Sequence, residues 1–138
     1  MTNQEKKDYL RQYRDAEREE KRLTGEIELW RSRAESMTAG YGPQTGGGGD
    51  GRKLEQVAVR IADLTDDLIR QRSGLVQLRR EIGAAIDAVP DARLRELLRL
   101  RYIDGLTFEQ IAVRMNYGWR QILRLHGKAL TEFEAKMS

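Results

Sequence analysis

A chain of 138 residues with 25 Lys and Arg against 22 Asp and Glu has a formal charge of +3; 34% of it is charged and only 7% aromatic. That balance favours long solvent-washed helices over a thick globular core, and an all-α class is expected. With no cysteine and one histidine, disulfides, thiolate or His-rich metal sites and Cys-His nucleophilic chemistry are excluded, so neither an enzyme nor a cofactor nor a metal is expected.

The first element runs from about Asn3 to Thr38. Tyr9, Tyr13, Ala16, Glu20, Leu23, Ile27, Trp30, Ala34 and Met37 recur at alternating spacings of four and three, the heptad pattern of a coiled-coil seam, broken only by Glu20. The same stretch, beginning MTNQEKKDYLRQYRDAEREEKR, is too charged for a signal peptide. No apolar run in the chain approaches the ~18 residues of a membrane span, which points to the cytoplasm.

Ala39 to Gly51 reads AGYGPQTGGGGDG, and its glycines and proline oppose helix formation, so a connecting loop is expected. Gly46, Gly48 and Gly51 satisfy a GxGxxG spacing. That motif holds a pyrophosphate only between a buried strand and a helix, and here a charged helix precedes it, so a passive connector is expected.

The second long element repeats the heptad through Leu54, Val57, Ile61, Leu64, Leu68, Gln71, Leu75, Leu78, Ile82, Ala85 and Val89. Two such helices joined by a glycine-rich loop predict an antiparallel helical hairpin over residues 1–89, with Ser73-Gly74 as a point of weakness. A second stripe lies beside the seam: Ala58, Ala62, Thr65, Ile69, Val76, Gly83 and Ile86. It has no counterpart on the first helix, and a homo-oligomer, a dimer by preference, is expected to cover it; packing within the chain is the alternative.

Pro90 ends the hairpin. Residues 90–138 then hold nine Lys and Arg against six Asp and Glu, whereas residues 1–89 hold sixteen of each, so the whole charge excess lies in this C-terminal domain. A helix from about Asp91 to Ile103 is expected, with Leu94, Leu97, Leu98, Arg101 and Tyr102 giving it one mostly apolar face and Asp104-Gly105 as its stop. Thr107 with Gln110 three residues on forms a capping box for a short helix from Phe108 to Met115. Asn116 suits the left-handed conformation of a tight turn, Tyr117 plugs that turn, and Gly118 caps a last helix that buries Ile122, Leu125 and Ala129. Ile111, Ala112, Met115, Asn116, Tyr117, Ile122 and Leu125 fall, without a gap, at the apolar, small and turn positions of a helix-turn-helix, whose second helix enters the DNA major groove.

LRELLRLRYIDGLTFEQIAVRMNYGWRQILRLHGKAL resembles region 4 of bacterial sigma factors. Leu100-Arg101-Tyr102, Gly105, Thr107, Glu109-Gln110-Ile111-Ala112 and Lys128-Ala129-Leu130 carry the likeness over residues 90–133; Gly118 departs from the usual Ser, and no region 2 accompanies it. Within that group the stretch is similar to small phage-encoded regulators with a sigma-like C-terminal domain. The resemblance implies promoter or operator DNA as ligand and transcription regulation in a bacterial host cell.

From Gln110 to Thr131 there is no acid, while Arg114, Arg120, Arg124 and Lys128 supply four cations. Arg120, Gln121 and Arg124 are the candidate base readers, since Arg matches guanine bidentately and Gln matches adenine; Lys128 is placed on phosphate. Trp119 either touches the duplex or packs on the preceding helix, Leu123 faces DNA or the hairpin, and His126 is expected to pack or hydrogen-bond internally. Double-stranded DNA is therefore the expected partner of a sequence-specific regulator. The alternatives are a small terminase-like DNA-packaging subunit, for which a ring of subunits would speak, and a protein that binds RNA polymerase through a degenerate domain.

Overall fold

The computed structural model describes residues 1–39 and 48–134, and within them the chain is all-α: five helices, with packing consistent with a helical bundle. They are α1 (Asn3–Ala39), α2 (Gly48–Asp87), α3 (Ala92–Tyr102), α4 (Phe108–Met115) and α5 (Trp119–Glu132). Most of the expected connector lies outside the described residues, but it is shorter at its C-terminal end than the sequence suggested, because α2 already starts at Gly48. The first amides of a helix have no partner four residues back, so glycines there sacrifice less than they would inside it.

The residues form two compact units, 18–74 and 1–17 with 75–138. This grouping is drawn along different lines from a division at Pro90.

In the unit of residues 18–74, Leu23, Ile27, Leu64 and Leu68 form the core, with Trp30 and Ile61 packed against it. Charged side chains lace its rim: Arg60 bonds Glu26 at 3.1 Å, and Arg72 donates from Nε to Glu20 at 3.1 Å. Glu20, the one acid in the α1 heptad, thus sits half-buried with a cation from α2 to answer its charge. Ile69 remains 61% exposed, and Ala58 and Ala62 beside it on the helix are exposed too, while Thr65 is half-buried, so among the described residues of this unit most of that stripe stays open.

In the other unit two clusters share Leu125. One joins Leu10 and Tyr13 of α1, Ile82, Ala85 and Ile86 of α2, and Leu94, Leu98, Tyr102, Ala129, Leu130 and Phe133. The second, of Leu97, Leu100, Ile111, Ala112 and Ile122, locks α3, α4 and α5 together. Ile86 of the second α2 stripe is 1% exposed, whereas Val76 is 56% exposed. Leu10 and Phe133, both fully buried, were not among the expected core positions.

Candidate nucleic-acid interface

The α3–α4–α5 segment is built from local signals that the backbone obeys. Asp91 caps α3 by accepting from the Arg93 amide at 2.9 Å. After Ile103 the chain reverses through Gly105 at φ +75°, a backbone conformation that favours glycine, and a Cβ there would have to displace the Arg14 guanidinium. Thr107 and Gln110 make the reciprocal capping box at the start of α4. Asn116 ends it at φ 59° and ψ 45°, the left-handed conformation that Asn tolerates. Gly118 precedes α5 with no side-chain cap bond. Arg93 lies 3.6 Å from the Asp91 carboxylate, and the influence of Tyr117 first, and Asp91 second, raises the arginine above its usual pKa.

Behind α5 the core holds the chain's one histidine. His126 is 7% exposed, its Nε2 lies 2.7 Å from the Tyr102 hydroxyl, and the Phe108 ring meets it edge-on with centroids 4.9 Å apart. Burial, then the nearby cations Lys7, Arg101 and Arg11, push its pKa down to about 4, so it is neutral at pH 7 and serves packing. Arg101, the charged member of α3's apolar face, donates to the Leu106 carbonyl at 3.0 Å and lies 4.2 Å over the Phe108 ring.

The opposite face of α5 turns outward. Arg120, Arg124 and Lys128 are exposed and recur every four residues, so they project from one side along roughly 12 Å of helix. Gln121 is half-buried beside them, Trp119 is 50% exposed, and Arg114 is exposed in the last turn of α4. Among the described residues these four cations make no ion pair. By contrast, Arg93 pairs with Asp91 and Arg99 with Asp87, and Arg95 donates to the Val89 and Pro90 carbonyls. Two arginines of α3 are thus paired with acids, whereas among the described residues Arg114, Arg120, Arg124 and Lys128 are not. Leu123 is half-buried.

Elsewhere the described residues hold no group of three His, Cys, Asp or Glu side chains able to take a metal ion. None of their helices is long and apolar enough to cross a membrane.

A family model described as "Protein of unknown function (DUF1492)" matches residues 41–134. No curated protein and no solved structure matches the chain. These findings correct the set of descriptors that the sequence suggested: DNA-binding, helix-turn-helix, sigma factor region 4-like, transcription regulation, phage, coiled coil, oligomer, cytoplasmic. The description of the matched family names none of them, and what is established is an all-α chain of that family.

Proposed function

The chain belongs to the DUF1492 family, and on physical grounds alone we propose that its C-terminal helices bind duplex DNA and read its sequence through α5. One observation carries the reading: Arg120, Arg124 and Lys128 line the outward side of α5, without an ion pair among the described residues, in a stretch free of acids from Gln110 to Thr131. An uncompensated row of cations on a helix braced from behind is what a polyanion attracts. The left-handed Asn116 between α4 and α5 supports a helix-turn-helix arrangement in which α4 braces α5. In this reading Arg120, Gln121 and Arg124 meet base edges, Lys128 and Arg114 meet phosphates, and Trp119 lies against the sugar-phosphate backbone. The paired α1 and α2 form the arms of an antiparallel helical hairpin, and the open stripe around Ile69 is where two copies of the chain meet.

The test is titration of labelled duplexes selected from a random library, at several salt concentrations. Arg124→Ala or Arg120→Ala is expected to cost about 1–3 kcal/mol on the selected site and to relax its preference. Lys128→Ala is expected to weaken all duplexes alike and to lower the salt slope by about one. Wild-type protein that binds no duplex better than random DNA refutes the base-reading role. A second reading, a protein partner on α4, is favoured by Val113, 83% exposed on a shallow groove with Leu106, Glu109, Gln110 and Arg114. Failure on DNA together with capture of RNA polymerase would support it.

A further inference from the structure

The N-terminal turns of α1 belong to the same compact unit as α5, and they are fastened to it at several points. The Lys6 ammonium donates to the Leu130 and Thr131 carbonyls at 2.8 and 3.1 Å, Tyr9 lies against Phe133 with ring centroids 6.0 Å apart, and Leu10 and Tyr13 share a cluster with Ala129 and Leu130. Further along, the Arg14 side chain occupies the space above Gly105. These contacts fix the rotation of α1 about its own axis. With Lys6, Leu10 and Tyr13 turned inward, Lys7, Arg11 and Arg14, spaced by four and three, fall together on one flank, the one that faces the Gly105 loop. Glu5 falls on another side of the helix, while Asp8 and Asp15 stand three and four residues from Arg11 at the margin of this flank, Asp8 accepting from Gln4 at 3.0 Å.

Arg14 bonds Glu17, but among the described residues Lys7 and Arg11 make no ion pair. Arg11 is exposed and Lys7 half-exposed. Their nearness to α5 has an electrostatic signature. After burial, Lys7, Arg101 and Arg11 depress the basicity of His126 on α5, and Arg11 acts on Tyr102 beside it.

We propose that Lys7 and Arg11 form a second phosphate-binding edge, contributed by α1, which grips the backbone of the duplex beside the groove that α5 enters. The assignment rests on the DNA-reading role of α5. A helix in the major groove lies between two phosphate backbones, and a protein that reads bases needs cations on its flanks to fix its register. Lys128 and Arg114 supply part of that grip from the α4–α5 pair itself; Lys7 and Arg11 extend it to an element whose sequence has no motif for DNA. Contacts of this kind carry affinity and salt dependence without carrying sequence preference.

The experiment compares wild-type protein, Lys7→Gln with Arg11→Gln, Lys7→Arg with Arg11→Lys, and Arg124→Ala, each titrated with the selected duplex and with random duplex between 50 and 200 mM salt. The Gln pair is expected to lower the salt slope by about two, so that the affinity gained on dilution from 200 to 50 mM shrinks about tenfold, equally for both duplexes. The charge-conserving pair is expected to behave as wild type. If the Gln pair leaves the slope unchanged while Arg124→Ala still weakens the selected duplex, the α1 edge is refuted and base reading by α5 stands. If the Gln pair instead alters sequence preference, Lys7 and Arg11 touch bases and the phosphate assignment is wrong. If wild-type protein does not prefer the selected duplex, base reading fails and the α1 edge falls with it.

Discussion

Acidification is expected to destabilise the fold through His126, and the size of the effect follows from its surroundings. The imidazole is 7% exposed, it shares a 2.7 Å hydrogen bond with the Tyr102 hydroxyl, and burial followed by Lys7, Arg101 and Arg11 holds its pKa at about 4 against the ordinary 6.5. Unfolding returns it to water, where it takes a proton at the ordinary value. The depressed folded pKa means that the unfolded state binds more protons between pH 6.5 and 4, so stability rises with pH across that window. The contribution is complete above about pH 6.5, is lost as pH falls toward 4, and changes no further below it. A shift of this size corresponds to roughly 3 kcal/mol, a large share of a small domain's stability. Because the chain has one histidine, its ring-proton NMR signal titrates without ambiguity. Urea unfolding of wild type and His126→Gln at pH 7, 6, 5 and 4 adds the energetic measure: the amide of Gln can still bond the Tyr102 hydroxyl but cannot titrate, and the carboxylates common to both proteins cancel in the difference. Wild type is expected to lose about 3 kcal/mol relative to the variant between pH 7 and 4. An NMR midpoint at 6.5 or above, or parallel stability profiles for the two proteins, would refute the reasoning.

Gly105→Ala is expected to destabilise by at least about 1–2 kcal/mol, since the φ of +75° disfavours a Cβ and the Arg14 guanidinium must be displaced to admit one; a urea midpoint equal to wild type would contradict this. Asn116→Gly is expected to keep or slightly raise stability at φ 59°, whereas Asn116→Val, branched at Cβ, should cost about 1–3 kcal/mol, both read from thermal unfolding. Ile69→Glu should change the stability of the folded chain by no more than about 0.5 kcal/mol, because the side chain is 61% exposed. In light scattering the same substitution should lower the molar mass of a self-associated wild type; a wild type that is monomeric at micromolar concentration removes the stripe's proposed role.

The signals legible in the sequence were those that act within a few residues. The heptad seams of α1 and α2 named side chains that are buried or half-buried from Tyr9 to Met37 and from Leu54 to Val89, because the 3.6-residue turn of a helix imposes that periodicity whatever the partner. Asp91, the Thr107–Gln110 box and Asn116 were equally readable, since a cap satisfies amides in its own chain neighbourhood. Exposure of Arg120, Arg124 and Lys128 followed from the apolar stripe opposite them. What escaped the sequence was every choice that depends on which distant surfaces meet. A seam between two helices calls for one narrow stripe, but the first turns of α1 pack against the end of α5 as well as α2, so Leu10 is buried next to Tyr9 and Phe133 is enclosed. The last turn of α5 has no basic residue of its own; its carbonyls are answered by Lys6, more than a hundred residues earlier. Gly105 reads as a helix stop, while the side chain that lies over it, Arg14, comes from α1. Periodicity and capping are properties of a segment, and the sequence determines them; the partners of Lys6, Arg14, Leu10 and Phe133 were decided only by tertiary packing, because a side chain's neighbour across space leaves no spacing along the chain to be read.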